Sequence, residues 1–263
     1  MSLLPLPPLP PPPPPPPTFY VLSICWNEEF FLPYFLKHYS FATKIIIFDN
    51  MSSDNSVAIM KQHPNVEIAT YNTNEQIRDD IYLEIKNHAW KQYKHLCDWI
   101  IIVDIDELIH HPLGIPAFVQ SLPPNVGIAK CKGYEMFSPG LSPYSPDENM
   151  SIFQKCATGM PGVKLDKCTL LNTKMVQDMN YLTGCHQAYP KMTRPTFITY
   201  THPQFVLLHY KFIHPLPQMI HRYKQMARRL SQQNLLNGWG FHYTNIKSLT
   251  TKYYALLRGS AFL

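Results

Sequence analysis

Two carboxylates one residue apart, Asp104 and Asp106, follow four aliphatic residues in a row, Ile100-Ile101-Ile102-Val103. A continuous apolar run rich in β-branched residues reads as a strand covered on both faces, as in the parallel sheet of an α/β protein. Ligands in such sheets collect outside the carboxyl ends of the strands, where these acids would stand. Side chains at i and i+2 of a strand share a face. Two carboxylates so placed repel and shift each other's pKa unless a cation relieves them. A hard divalent ion, Mn²⁺ or Mg²⁺, held by one or two carboxylates and completed by substrate phosphates, fits that requirement. The chemistry this suggests is stabilisation of a phosphate-bearing leaving group.

The elements that would carry this tip alternate strand and helix from Thr18 onward. Residues 19–24 read as an apolar strand, followed by Asn27 as an N-cap and Glu28-Glu29 in a first helical turn. A helix is expected over 28–39, with Pro33 fixing its early part. Residues 44–48 form a second strand that also ends on an acid, Asp49. Turn chemistry over 50–56 leads into another helix. A third strand is expected over 66–70 and a long helix over 75–94, where Ile77, Ile81, Ile85, Ala89 and Tyr93 recur every four residues. The strand 99–103 then completes a Rossmann-like half. No G-x-G-x-x-G follows the first strand, which argues against a dinucleotide.

Beyond Leu108 the pattern loosens. His110-His111-Pro112 reads as a turn, 115–122 as a short helix, and 127–131, 164–171 and 205–210 as strands. Residues 138–162, rich in Pro, Gly and Ser, read as a long loop, expected to act as an acceptor-side flap. Residues 216–236 form an amphipathic basic stretch, expected to be a solvated helix face rather than a membrane-surface helix. Residues 1–17 are dominated by proline, with an unbroken run from Pro10 to Pro17, and read as a polyproline II arm acting as a spacer or engaging a proline-binding partner. The expected organisation is therefore the arm (1–17), a main domain (18–215, split near 110 into donor and acceptor halves) and a helical extension (216–263).

Composition narrows the function classes. The chain has 263 residues, 45% hydrophobic, with a net charge of +5. The longest basic run is Arg228-Arg229, so nucleic acid is not an expected partner, whereas a small anionic substrate is compatible. The six cysteines, Cys25, Cys97, Cys131, Cys156, Cys168 and Cys185, lack CxxC or zinc-type spacing and read as scattered buried thiols in a reducing compartment. No apolar stretch reaches membrane-spanning length, and the N-terminus lacks a signal-peptide pattern. A cytoplasmic location is expected.

The first half resembles glycosyltransferase family 2 and its GT-A relatives. The likeness rests on Cys25-Trp26-Asn27-Glu28-Glu29 with Leu32-Pro33, on Ile46-Ile47-Phe48-Asp49-Asn50-x-Ser52-Ser53-Asp54-x-Ser56, on Lys86-Asn87, and on Asp98-Trp99 through Asp104-Ile105-Asp106-Glu107. The second half resembles a branch of that group through Asp166-Lys167, Gly184-Cys185-His186, Leu208-His209-Tyr210-Lys211, Arg222-Tyr223, Arg229-Leu230-Ser231 and Gly238-Trp239-Gly240-x-His242-Tyr243. That branch is similar to proteins of large DNA viruses and bacterial surface-polysaccharide clusters; a viral member would work in the host cytoplasm.

The resemblance implies an α/β GT-A fold with a Rossmann-like nucleotide-binding half, a mixed central sheet flanked by helices, and a C-terminal helical tail. It implies an inverting glycosyltransferase using a nucleoside-diphosphate sugar donor and a glycan or glycoprotein acceptor. The donor-side residues it implies are Asn27, Glu28, Asp49, Arg78, Asp80, Lys86, Asp104, Ile105 and Asp106. Asp104 and Asp106 would hold the Mn²⁺ or Mg²⁺, with His209 or His186 as a further contact. Inversion needs a base for the acceptor hydroxyl; Asp166 is the choice, with Asp147 and Glu148 competing. Other readings attach to the same residues: Asp49 as an Asx turn, Arg78, Asp79 and Asp80 as helix N-terminal charges, and Lys86 and Asn87 as structural. A haloacid-dehalogenase-type phosphoryl transfer would also use a strand-end DxD, but Glu107-Leu108 stands where that family needs a different sequence. A degenerate, non-catalytic binding module is the remaining alternative.

Overall fold

The computed structural model describes residues 15–138, 151–259 and 261–262. The elements in chain order are β1 (Phe19–Cys25), α1 (Leu32–His38), β2 (Lys44–Asp49), α2 (Ser56–Met60), β3 (Val66–Thr70), α3 (Asp79–His88), β4 (Trp99–Ile102), β5 (Glu107–His110), α4 (Ile115–Ser121) and β6 (Val126–Phe137). They continue with α5 (Ile152–Lys155), β7 (Thr158–Pro161), β8 (Lys167–Asn172), β9 (Val176–Asp178), β10 (Lys191–Met192), β11 (Ile198–Phe212), α6 (Leu216–Arg228), α7 (Gln232–Leu236), α8 (Ile246–Gly259) and β12 (Ala261–Phe262).

β3, β2, β1 and β4 lie side by side and parallel. The sheet then turns antiparallel through β8 and β6. β11 runs parallel to β6 and pairs antiparallel with β5, so the second half is joined to the strand that follows the acidic tip. This mixed sheet, flanked by helices and closed by a helical C-terminus, is the α/β architecture expected for the GT-A class.

The pleat explains the core. Val21, Ile45, Ile47 and Ile101 face one hydrophobic layer with Leu32, Phe35 and Leu36 of α1. Their neighbours Leu22, Ile46, Ile100 and Ile102 face a second layer with Trp90, Tyr93 and Tyr181. Period-two alternation sends successive side chains to opposite faces, and here both faces are covered. Each fully buried aliphatic contributes roughly 1.5–3 kcal/mol. A third, smaller cluster packs Met219 and Tyr223 of α6 with Leu249 and Leu256 of α8 onto Phe137 and Phe212.

Several expected boundaries move. The first helix starts at Leu32, not 28, because residues 28–31 form turns and Pro33 occupies the opening turn, where its missing amide costs nothing. The helix expected over 75–94 is α3 alone, followed by a 3-10 turn at Ala89–Tyr93. Asn74 and Glu75 have positive φ, and Ile77 bridges Leu230, so residues 75–78 cannot join the helix. Residues 151–162, expected as loop, form α5, with a Ser151/Gln154 capping box, and β7 paired with β6. The flap reading otherwise falls on residues 139–150, which lie outside the described residues together with Asp147, Glu148 and most of the proline arm. The amphipathic stretch 216–236 is two helices, α6 and α7, broken at Arg229 to Ser231. All six cysteines are free and buried.

Candidate functional site

β4 ends at Ile102, so Asp104 and Asp106 stand in the turn to β5 rather than on the strand. The turn is closed by Glu107 N–H donating to Asp104 O at 3.0 Å and Asp104 N–H donating to Glu107 Oε2 at 3.1 Å. The two acids therefore do not share a strand face as expected, because the alternation rule stops where the strand stops. Ile105 between them is buried and anchors the turn in the core.

Each acid has its own cation. Lys86 of α3 reaches Asp104 Oδ1 at 2.5 Å, and Lys167 at the start of β8 reaches Asp104 Oδ2 at 3.3 Å and Glu107 Oε1 at 2.5 Å. Burial pushes the Asp104 carboxyl up, but the two ammonium groups outweigh it and hold it far below the usual carboxylate range. Burial likewise pulls both lysines down, and the carboxylates around them carry them above their ordinary value.

Asp106 meets a histidine. His209 Nε2 lies 3.4 Å from Asp106 Oδ2, and its Nδ1 lies 2.8 Å from Glu135 Oε1. The second contact is an ion pair without an aligned hydrogen bond, since neither atom has a hydrogen-bond partner. Lys252 of α8 completes the chain at 2.5 Å from Glu135 Oε2. Burial lowers the affinity of His209 for a proton, yet Glu135 and Asp106 raise its pKa to about 10. Burial works against Glu135 too, but His209 and Lys252 bring it to about 2. Asp106 is held below its ordinary value by His209 against the effect of burial.

The loops after β1 and β2 are laced together. Asn27 N–H donates to Ser52 Oγ, Ser53 N–H to Asn27 Oδ1, Glu28 N–H to Ser56 Oγ, and Glu29 N–H to Asp54 Oδ2. Asn27 sits at φ 53°, a left-handed conformation that Asn tolerates. Much of the Asn27-Glu28-Glu29 and Ser52-Ser53-Asp54 pattern is thus used to fix loop shape. Asp49 accepts the N–H of Ser52, three residues on, on Oδ2 at 3.1 Å, one residue beyond the span of an Asx turn, while its buried Oδ1 has no partner. Glu28 pairs with Arg222 of α6 at 2.6 Å. Burial, with Asp106, Asp54 and Asp104 nearby, pushes the Glu28 carboxyl up to about 8 against the pull of Arg222. The Trp26 ring carries Arg222 at 4.9 Å and Arg229 at 3.1 Å from its centroid.

The remaining expected residues divide. His186 follows the 3-10 turn Thr183–Cys185; burial and Lys167 lower its pKa to about 4, with Asp104 and His209 also bearing on it. It therefore lies near the acidic tip. Arg78 instead pairs with Asp80 at 2.8 and 2.6 Å beside the opening of α3. Asn87 hydrogen-bonds the Tyr181 backbone through both amide atoms, a structural role. Asp166 accepts the Gly133 N–H at 2.9 Å, and the side chain of this pair that reaches the acidic tip is Lys167.

Glu107, Glu135, Lys167, Arg222 and Lys252 are not among the expected site residues. Glu107, Lys167 and Arg222 lie inside motifs carrying the resemblance; nothing local distinguishes Glu135 or Lys252.

Asp106 and His209, whose nearest oxygen and nitrogen are 3.4 Å apart, would offer a cation one carboxylate oxygen and, once the imidazolium gives up its Nε2 proton, one ring nitrogen. Among the described residues no three His, Cys, Asp or Glu side chains gather as a complete ligand set. An ion here would complete its shell from a bound phosphate and water.

No protein-family model and no curated protein matches this chain. Among solved structures it is similar to the WbbM bifunctional glycosyltransferase at 14% identity and a TM-score of 0.29, covering 44% of this chain and 23% of that one. It is similar to a 4-diphosphocytidyl-2C-methyl-D-erythritol synthase at 11% identity and a TM-score of 0.34, covering 59% and 75%. It is also similar to HddC from Yersinia pseudotuberculosis at 10% identity and a TM-score of 0.37, covering 81% and 99%. The chain thus spans less than a quarter of the length of WbbM. Likenesses this distant carry no statement about activity. Among the described residues no helix is long and apolar enough to cross a membrane.

Proposed function

We propose that the chain is a metal-dependent inverting glycosyltransferase that takes a sugar from a nucleoside-diphosphate donor to a glycan or glycoprotein acceptor. The observation that carries this is the meeting of Asp106 with His209 at the carboxyl end of a parallel β-sheet, beside the Lys86–Asp104 pair. Asp106 and His209 would hold Mn²⁺ or Mg²⁺, which supplies positive charge to the diphosphate as the sugar departs. Asp104, fixed by Lys86 and Lys167, keeps the turn that aims Asp106. Asp49, with its unpartnered buried Oδ1, is offered to a donor group of the nucleoside. Asp166, whose other oxygen makes no hydrogen bond among the described residues, is the candidate base for the acceptor hydroxyl.

A second reading, a nucleotide-binding module without turnover, is favoured by one observation: both Asp104 oxygens are already engaged by lysines. One experiment separates the two. Hydrolysis of UDP-, GDP- and dTDP-sugars is measured with and without Mn²⁺ or Mg²⁺, for the wild type and Asp106→Ala. The transferase reading expects metal-dependent turnover that the substitution reduces by about 10²-fold or more. Nucleotide binding without turnover leaves the module reading, and equal turnover in both proteins removes the metal site from the argument.

A further inference from the structure

Most lysines around the acidic tip are committed. Lys86, Lys167 and Lys252 each lie within 3.3 Å of a carboxylate oxygen. Lys211 is different. Its ammonium lies 5.2 Å from the Tyr223 ring centroid and 5.1 Å from that of Tyr243. No hydrogen bond or ion pair forms at its Nζ among the described residues. An ammonium has three donors, and two ring faces hold its charge without using any of them.

The position is as telling as the pairing. Lys211 is partly buried on β11, two residues beyond His209, and Tyr210 between them donates its backbone N–H to Asp106 O at 2.8 Å. The charges of Asp106 and Glu135, the carboxylates that flank His209, also bear on Lys211. The two tyrosines come from α6 and from the 3-10 turn Phe241–Thr244, so the C-terminal extension holds the lysine in place.

We propose that Lys211 is a second, protein-borne cation for the donor's diphosphate, held between Tyr223 and Tyr243 so that its N–H groups stay available to phosphate oxygens. The proposal rests on the donor reading above and adds a residue to it. The lysine would bind the diphosphate from the C-terminal side, independently of the metal at Asp106. Its charge would also be present where negative charge grows on the departing group.

The test measures calorimetric binding of inorganic pyrophosphate, UDP, GDP, dTDP and the corresponding nucleosides, all in a chelator without metal. Lys211→Met is expected to weaken pyrophosphate and the preferred nucleoside diphosphate by about tenfold while leaving the nucleoside unchanged. Lys211→Arg should recover part of the loss. Affinities equal within twofold in wild type and Lys211→Met overturn the assignment of Lys211 alone. Failure of the wild type to bind any of these phosphates in chelator overturns this proposal, and failure to bind them with Mn²⁺ or Mg²⁺ restored overturns the donor reading as well. Should Lys211→Met not fold, reductive methylation of the wild type read by mass spectrometry decides. Protection of Lys211 by pyrophosphate supports the site, and unprotected labelling overturns it.

Discussion

Lys167 Nζ lies 2.5 Å from Glu107 Oε1, and the two side chains are only 4% and 2% exposed. A buried ion pair is an indifferent source of stability, but removing one member strands the other charge. Lys167→Met should therefore destabilise the protein by about 3–5 kcal/mol. The double variant Lys167→Met, Glu107→Gln should recover much of this. Urea unfolding followed by circular dichroism measures both. A single variant as stable as the wild type would mean that the pair does not hold the acidic turn.

Acid should weaken the fold through buried neutral histidines. His38, whose Nε2 lies 2.8 Å from Ile109 O, has its pKa lowered by burial to about 4. In the unfolded chain a histidine titrates near 6.5. The unfolded state thus binds the extra proton first, so the contribution is complete above about pH 6.5 and is lost as pH falls from there towards 4. Its size is on the order of 3 kcal/mol. His38→Gln should narrow its stability deficit against the wild type between pH 7 and pH 4.5. A deficit that stays constant across that range would contradict the assignment.

Gly133 is where two segments approach too closely for any side chain. A Cβ there would lie 2.2 Å from Leu165 Cβ and 2.4 Å from the Leu165 carbonyl carbon and oxygen. Because backbone cannot step aside as a flexible side chain can, Gly133→Ala should cost about 3 kcal/mol, the upper end for overpacking. The same displacement would break the Gly133 N–H to Asp166 hydrogen bond and loosen the start of β8. Thermal unfolding and donor hydrolysis should fall together; an unchanged melting temperature would refute the close approach.

Asp49 is 2% exposed and has one oxygen without a partner. If that oxygen awaits a nucleoside donor, Asp49→Ala should weaken nucleoside binding by about tenfold while leaving pyrophosphate binding intact. Asp49→Asn, which can still accept the Ser52 amide, tests whether the charge is needed. Calorimetry with nucleosides and pyrophosphate reads each part. A loss confined to pyrophosphate would assign Asp49 to the wrong half of the donor.

The strands and their burial were legible because the signal is local. Ile100 to Ile102 read as an interior strand and lie in β4, and the alternation of Val21 with Leu22 or Ile45 with Ile46 across two hydrophobic layers follows from the pleat. The Asp104-x-Asp106 spacing marked the acidic turn that leaves β4 in the same way. What those acids do with their charge was not local. Lys86 comes from 18 residues away, Lys167 from 63, and Arg222 reaches Glu28 across 194. Electrostatic partners are chosen by distance in space, and a partner on another strand leaves no periodicity beside the residue it neutralises. The sequence by itself determined a parallel half-sheet, β1 to β4, with an acidic exit. Only the tertiary structure decided that Asp104 is answered by lysines, Asp106 by a histidine, and that Lys211 sits between two tyrosines.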